Sequence, residues 1–330
     1  MRRYLLPEGK QYKVNLHCHS TRSDGVLSPE ELKARYRAMG YDAVAFTDHE
    51  ILLSHDALCD DTFVALHGYE AALKEGGPDE RTGDGMHVYH FCFIAKRQDN
   101  RLSVGFHPDY VTQGAAPTQI PFAEYNGRFF TREYSVECAN RLISEANACG
   151  FLVTYNHPRW SLQNYDDYAG LEGLFGVEVF NSGTRRHGDC NAVVYEDILR
   201  TGKRLMPIAA DDNHGKEEMF GGFEMVAAKT LSYDALTDAL TNGDAYASEA
   251  PLFQSLYVED GKVHVTSTPV VTMTMHTDTR AGKLLSEPDG GVFSRGEFTV
   301  PKDVAYVRFE LADEKGRKAW SRAYDVKELA

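Results

Sequence analysis

The chain has 330 residues, with 35 Lys+Arg against 49 Asp+Glu and a formal net charge of -14. An apolar fraction of 42% and a charged fraction of 25% belong to a globular protein and are too apolar for a disordered one. The acidic balance argues against a broad basic field that grips nucleic-acid backbone or anionic membrane, but one local cluster of cations can still meet a small anion.

The start, Met1 to Glu8, has two adjacent Leu without a signal-peptide core, and no run of about 18 apolar residues occurs, so a spanning helix is excluded on length. Six Cys (18, 59, 92, 138, 149, 190) are scattered with no C-x-x-C pair, which fits a reducing compartment; a soluble cytoplasmic protein is expected.

To about residue 250, short apolar runs alternate with amphipathic stretches. Candidate strands are Tyr12 to His17, Asp42 to Phe46, Phe63 to His67, Met86 to Ala95, Phe151 to Tyr155, Gly176 to Phe180 and Arg204 to Ala209. Ser28-Pro29-Glu30-Glu31 reads as a capped helix start that Gly40 stops, and further helices run from Ser135 to Gly150, from near Asp189 to Gly202, and from Ser232 to Gly243. Alternating strands and helices imply parallel pairing with right-handed crossovers. The fold class expected is α/β, a distorted seven-stranded β/α barrel, with an open doubly wound sheet as the competing arrangement. Two segments interrupt the alternation: a Gly-rich polar loop from Lys74 to Gly85, and the long stretch from Lys96 to about Thr131, of a length usual for a lid or a mobile segment.

Beyond Pro251 the texture changes to short strands: Ser255 to Val258, Lys262 to Ser267, Val270 to His276, Gly296 to Val300, Ala305 to Ala312 and Lys318 to Tyr324. The expected division is a hydrolase barrel over 1–250 and an antiparallel β-sandwich over 251–330. Of the net charge, only -1 falls in 251–330.

The chemistry-bearing residues cluster at strand ends. His17-Cys18-His19 closes the first strand with two imidazoles on one face, and Ser23-Asp24-Gly25 offers a carboxylate in a tight turn. Thr47-Asp48-His49 ends the second strand, Gly68-Tyr69-Glu70 follows the third, His90 lies in the fourth, Asn156-His157-Pro158 ends the fifth and Asp211-Asp212-Asn213-His214 ends the seventh. In a β/α barrel those ends converge on one mouth, so six His and three carboxylates there point to a metal cluster. His87 lies three residues before His90 on the opposite strand face; only one can point inward, and His90, which leads His-Phe-Cys-Phe-Ile, is preferred. Asp48 and Asp211 read as partners that orient ligands. Trp160 reads as a packing residue.

The ordered set HxH, SDG, TDH, GxE, lone His, NHP and DxH, over residues 10 to about 250, resembles the PHP (polymerase and histidinol phosphatase) superfamily of metal-dependent phosphoesterases. The resemblance implies three divalent ions, with Zn, Mn and Fe all suited to such mixed sites. His17, His19, Glu70 and Asp212 would hold the first. Glu70 would bridge to a second bound by His90 and His157, and Asp24, His49 and His214 would hold a third. It also implies hydrolysis of a small phosphate ester, a monoester or nucleotide, by a metal-bridged hydroxide without a Ser or Cys nucleophile. Arg159 and His187 are the catalytic candidates from this chain, and Arg159, Arg185 and Arg186 are candidates for gripping substrate phosphate. The expected partner is a small phosphorylated substrate; a membrane and a long nucleic acid are not expected, and self-association through the C-terminal domain is one role open to it. Two rival readings are an amidohydrolase-like metal hydrolase of another bond and a non-catalytic metal-binding interaction protein.

Overall fold

The computed structural model describes residues 2–76, 86–188 and 190–329. In chain order the first elements are β1 (Arg3–Tyr4), β2 (Gln11–Asn15), α1 (Pro29–Ala38), β3 (Ala43–Phe46), β4 (Val64–Lys74), β5 (Val88–Ala95), α2 (Val136–Ala148), β6 (Phe151–Tyr155), α3 (Tyr165–Tyr168), β7 (Gly176–Asn181), α4 (Ala192–Arg200), β8 (Met206–Ala210), β9 (Phe223–Ala227), α5 (Tyr233–Asn242) and β10 (Ala245–Ser248). The start of α1 follows from its sequence. Ser28 Oγ accepts the Glu31 amide at 3.2 Å, and Glu31 Oε2 accepts the Ser28 amide at 2.9 Å, so two otherwise orphaned N–H groups are satisfied.

Strands β2 to β8 lie side by side in chain order, without the order reversal of a doubly wound sheet. Pairing is parallel at β2–β3, β3–β4, β6–β7 and β7–β8. The expectation of parallel pairing throughout fails at β5, which runs antiparallel to both β4 and β6. The reason is local: β4 continues to Lys74, and the Glu75 amide donates to His87 O at 3.0 Å, so the ladder extends as a hairpin instead of a helical crossover. Gly68 sits inside this strand, not at its end, because a Cβ there would meet Phe93 O at 2.9 Å. Most of the Gly-rich loop expected from Lys74 to Gly85 lies outside the described residues, as does Asp189 at the expected start of α4.

At their far ends β2 and β8 come back together. The Asp212 amide donates to His17 O at 2.9 Å and the His19 amide to Asn213 O at 3.3 Å, so the loop after the last of these strands joins the loop after the first. Strand β9 then returns antiparallel along β2, and β10 along β9. Neither was anticipated.

Glu224 lies on β9, beside β8. It is fully buried, its Oε1 accepts the Ala209 amide at 2.9 Å, and its Oε2 has no partner among the described residues. Burial pushes its carboxyl well above the ordinary range, so the folded protein holds a proton that the unfolded chain releases near pH ~4.3. A group that binds its proton more tightly when folded lowers stability as pH rises above its unfolded value. Tm is therefore expected to decline between about pH 5 and 8, and Glu224→Gln is expected to flatten that decline. Thermal unfolding across the range checks it; an unchanged slope in the variant contradicts it.

The remaining elements are β11 (Phe253–Glu259), β12 (Lys262–Val270), β13 (Thr272–Thr277), β14 (Lys283–Ser286), β15 (Phe293–Thr299), β16 (Tyr306–Ala312), β17 (Lys318–Ser321) and β18 (Tyr324–Asp325). One sheet has the order β1-β11-β12-β15. The other, β14-β13-β16-β17, continues into the large sheet because β17 pairs with β10, Tyr246 opposite Ser321. Leu256, Val263, Val265 and Phe298 of the first sheet share one buried cluster with Met273, Met275, Phe309 and Leu311 of the second. Strand β14 had no counterpart in the sequence reading, and neither did β1, which pairs Tyr4 with Tyr257.

Candidate metal centre

The nine residues that the motifs single out come together at one cavity, seven of them lining it and His17 and His19 packed against Glu70 and Asp212. Glu70, on β4, lies at its middle. Oε1 is 3.3 Å from His17 Nε2, 3.1 Å from His90 Nδ1 and 3.3 Å from His157 Nε2, while Oε2 is 3.5 Å from both His19 Nε2 and His49 Nδ1. Asp212 Oδ1 is 3.2 Å from His17 Nε2 and 3.1 Å from His19 Nε2. Asp24 carboxylate oxygens are 3.3 Å from His49 Nε2 and 3.5 Å from His214 Nε2. One donor atom each from His17, His19, Glu70 and Asp212 lie mutually within 4.8 Å, as do those of Glu70, His90 and His157, and those of His19, Asp24, His49 and His214. His90 is turned inward. His87 lies outside the cavity, its ring 5.8 Å from Tyr134.

Buried carboxylates build this arrangement. Asp48 accepts the Ser20 and Ser23 amides and both hydroxyls at 2.7 to 3.1 Å, which shapes the loop carrying Asp24. Asp211 accepts Tyr36 Oη at 2.8 Å, the Ser182 hydroxyl at 3.1 Å and the amides of Phe220, Gly221 and Gly222 at 2.7 to 3.0 Å, fixing the turn before Asp212. Glu178, on β7, escaped the sequence reading. Its Oε1 is 2.7 Å from His17 Nδ1, and its Oε2 accepts the His157 amide and Asn181 Nδ2, both at 2.8 Å. The signal available was an acidic residue between Val177 and Val179 in an otherwise apolar strand. His157 and Asp212 have φ of 28° and 48°, a left-handed region costly for side-chain-bearing residues, and such strain persists only where neighbours impose it.

Glu178→Gln keeps one acceptor but sets an amide donor against donors. Metal affinity or activity is expected to fall about 10- to 100-fold, the usual cost of losing a carboxylate behind a ligating His. Metal titration against a chromogenic chelator reads it, and affinity equal to wild type would rule the role out.

The electrostatics suit cations. Burial, with His214 and His49 close by, pulls His19 down to about 4, so its ring is neutral as ligation requires. Burial opposes charge on Glu70, but His90 and His17 outweigh it and hold the carboxyl well below the ordinary range. Asp212 is likewise depressed despite burial, chiefly by His17 and His19, and Asp24 by His214 and His49. Among the described residues His19 Nδ1 and His49 Nδ1 are buried without a hydrogen-bond partner, and His90 Nδ1 and Asp212 Oδ1 face only other members of the cluster, Glu70 Oε1 and His19 Nε2, each at 3.1 Å. A buried polar atom left bare costs about 1–3 kcal/mol, and divalent cations are what this set of imidazoles and carboxylates fits.

The cavity holds about 280 Å³, and Lys74, Gln113, Trp160, Gly183 and Thr184 complete its lining. Trp160 stands edge-on to His157, ring centres 4.9 Å apart, and is tilted over His90 at 5.6 Å. Arg159, Arg185, Arg186 and His187 are exposed and do not line the cavity; Arg159 adjoins Trp160, Arg185 adjoins Thr184, and the His187 amide donates to Thr184 O at 2.8 Å. The Arg159 guanidinium lies against Gly188, and the last three form a short turn after β7.

The long stretch from Lys96 is held down rather than free. Its 3₁₀ turns at Pro108–Tyr110 and Ala116–Phe122 bring Gln113 to the cavity. The Ala115 amide donates to Ser23 O at 2.6 Å, and Gly114 (φ 49°) passes so close that a Cβ would sit 2.2 Å from that same oxygen. At its end Arg132 donates to Ala72 O on β4 at 2.8 Å and to Gly105 O at 2.9 Å, and it pairs with buried Glu50 at 2.7 Å.

Comparison with known proteins places this site in a family. The PHP domain family model matches residues 15–205. A 5'-3' exoribonuclease of Haemophilus influenzae is 44% identical over 71 residues, 22% of this chain and 22% of that protein. A PolC-type DNA polymerase III of Streptococcus suis is 38% identical over 78 residues, 23% of this chain but 5% of the polymerase. The matched segments thus span under a quarter of either relative. Among solved structures, a two-domain protein from Bacteroides vulgatus containing a predicted PHP-like metal-dependent phosphoesterase aligns over 97% of this chain and 98% of its own, with 14% identity and a TM-score of 0.48. With the family model covering more than half of its length, the chain belongs to the PHP domain family.

Proposed function

We propose that this protein hydrolyses small phosphate esters at the imidazole–carboxylate cluster, in a closed β/α barrel over 1–250 that carries a β-sandwich over 251–330. The observation that carries the reading is the convergence of six His and three carboxylates in three overlapping groups at one cavity, with His19 Nδ1 and His49 Nδ1 buried and unpartnered among the described residues. The similarity to an exoribonuclease supports a phosphoester bond as the target. His17, His19, Glu70 and Asp212 would hold one divalent ion; Glu70, His90 and His157 a second; Asp24, His49 and His214 a third. When bound, such ions supply Lewis-acid activation of water and neutralise charge on the phosphoryl oxygens.

The chain's own groups do the rest. Glu178 holds His17 by Nδ1 and leaves Nε2 facing the cavity. No thiol competes as nucleophile: burial raises Cys18 well above the ordinary range and Cys92 to about 11, so both stay protonated. Arg159, and the turn of Arg185, Arg186 and His187 after β7, would lie outside the lining and draw an anion toward it through their charge. A cavity of about 280 Å³ suits a small substrate and not a duplex.

Elemental analysis of purified protein, joined to a phosphomonoester and phosphodiester panel, tests the proposal and identifies the metal among Zn, Mn and Fe. Two or more ions per chain with phosphate release are expected. Fewer than two, with no phosphate released from any ester, overturns it.

A further inference from the structure

Strand alternation sets the direction of Lys74. Tyr69, Ala71 and Leu73 pack into the core behind β4, so Glu70, Ala72 and Lys74 share the opposite face. The ladder with β5 is regular through Lys74, which pairs with Val88, so no bulge turns the side chain away. Lys74 and Glu70 both line the cavity. Yet four residues of strand separate their Cα atoms by about 13 Å, and an extended lysine side chain covers only about half of that. The ammonium therefore stands apart from the Glu70 carboxylate.

Lys74 is half-buried, and among the described residues its ammonium makes no hydrogen bond or ion pair. The one buried carboxylate beside it, Glu50, is engaged by Arg132 at 2.7 Å. Apart from histidines, Lys74 is the only cationic side chain among the described lining residues. The cavity thus has a carboxylate–imidazole end and, four strand residues away, a cation unpaired among the described residues, whose partial desolvation makes a charged hydrogen bond to it stronger than at the surface.

We infer that Lys74 forms a second anion subsite, and that the preferred substrate carries a second anionic group, a phosphate or carboxylate, remote from the scissile phosphate. This rests on the phosphoesterase reading for its chemistry but not for its binding test. Two probes serve: fructose 1,6-bisphosphate and fructose 6-phosphate, offered to wild type, Lys74→Met and Lys74→Arg, each first matched for metal content by elemental analysis.

Wild type is expected to favour the bisphosphate by about tenfold in KM, as one charged hydrogen bond provides. Lys74→Met is expected to lose that preference and Lys74→Arg to recover most of it. The same order is expected in ligand-induced Tm shifts, which need no turnover. A bisphosphate preference in Tm shift, lost in Lys74→Met, without hydrolysis of any ester, sinks the phosphoesterase reading and leaves the subsite standing. No preference in wild type, or a preference that survives Lys74→Met, overturns the subsite itself.

Discussion

Glu70→Gln is expected to lower the proposed phosphoester hydrolysis by at least about a thousandfold and to strip one or more metal ions from each chain. The size follows from position. The two oxygens of Glu70 reach His17, His19, His49, His90 and His157, members of all three donor sets, and Asn156 Nδ2 holds Oε1 at 2.8 Å. Glutamine keeps the shape but removes the negative charge and turns one acceptor into a donor, so the two donor sets that share Glu70 are both broken while His19, Asp24, His49 and His214 remain. Elemental analysis and single-substrate kinetics together read the effect, with thermal unfolding to show that the variant folds. Full metal content with activity within about tenfold of wild type would remove Glu70 from the centre of the site.

Arg132→Met carries the largest expected stability loss. Arg132 and Glu50 side chains are 3% and 2% exposed, so removing the guanidinium leaves an uncompensated buried carboxylate at a cost of about 3–5 kcal/mol. Glu50 also accepts the Ala72 amide at 3.1 Å and holds a left-handed backbone (φ 72°) beside His49. The double variant Glu50→Gln/Arg132→Met is expected to recover part of the loss, because no charge remains buried. Urea unfolding of both singles and the double measures the coupling, about 1 kcal/mol or more for two groups in contact. Additive effects would mean that the pair does not hold the long segment to β4.

What could be read from the sequence was mostly local. Helix starts followed from caps such as Ser28, and the donor residues stood out because strand ends gather them. Strand alternation set His87 and His90 on opposite faces, and the apolar run His-Phe-Cys-Phe-Ile was the ground for preferring His90. Pairing direction was different in kind: whether β5 returns parallel or antiparallel depends on the path of residues 75–87, whose polar composition fits either. Lys74 looked like the first residue of a polar loop because Gly76 and Gly77 follow closely, although it continues the Glu70 face. Glu178 was hidden by its neighbours, since an acid inside an apolar strand shows its purpose only once His17 is brought opposite. Strands β9 and β10 are short, and their partners lie far away in sequence, β9 beside β2 and β10 beside β17.

The pairing of β1 with β11 has a consequence for how the protein is made. Arg2 meets Glu259 across that pair, 257 positions later in the chain. At about 5–20 residues per second, translation leaves the first strand without its partner for roughly 10–50 s. Microsecond-scale collapse of nearby segments is long finished by then. The last hydrogen bonds of this sheet are therefore closed by residues emerging late from the ribosome, and its edge is sealed only after the metal-binding loops already exist.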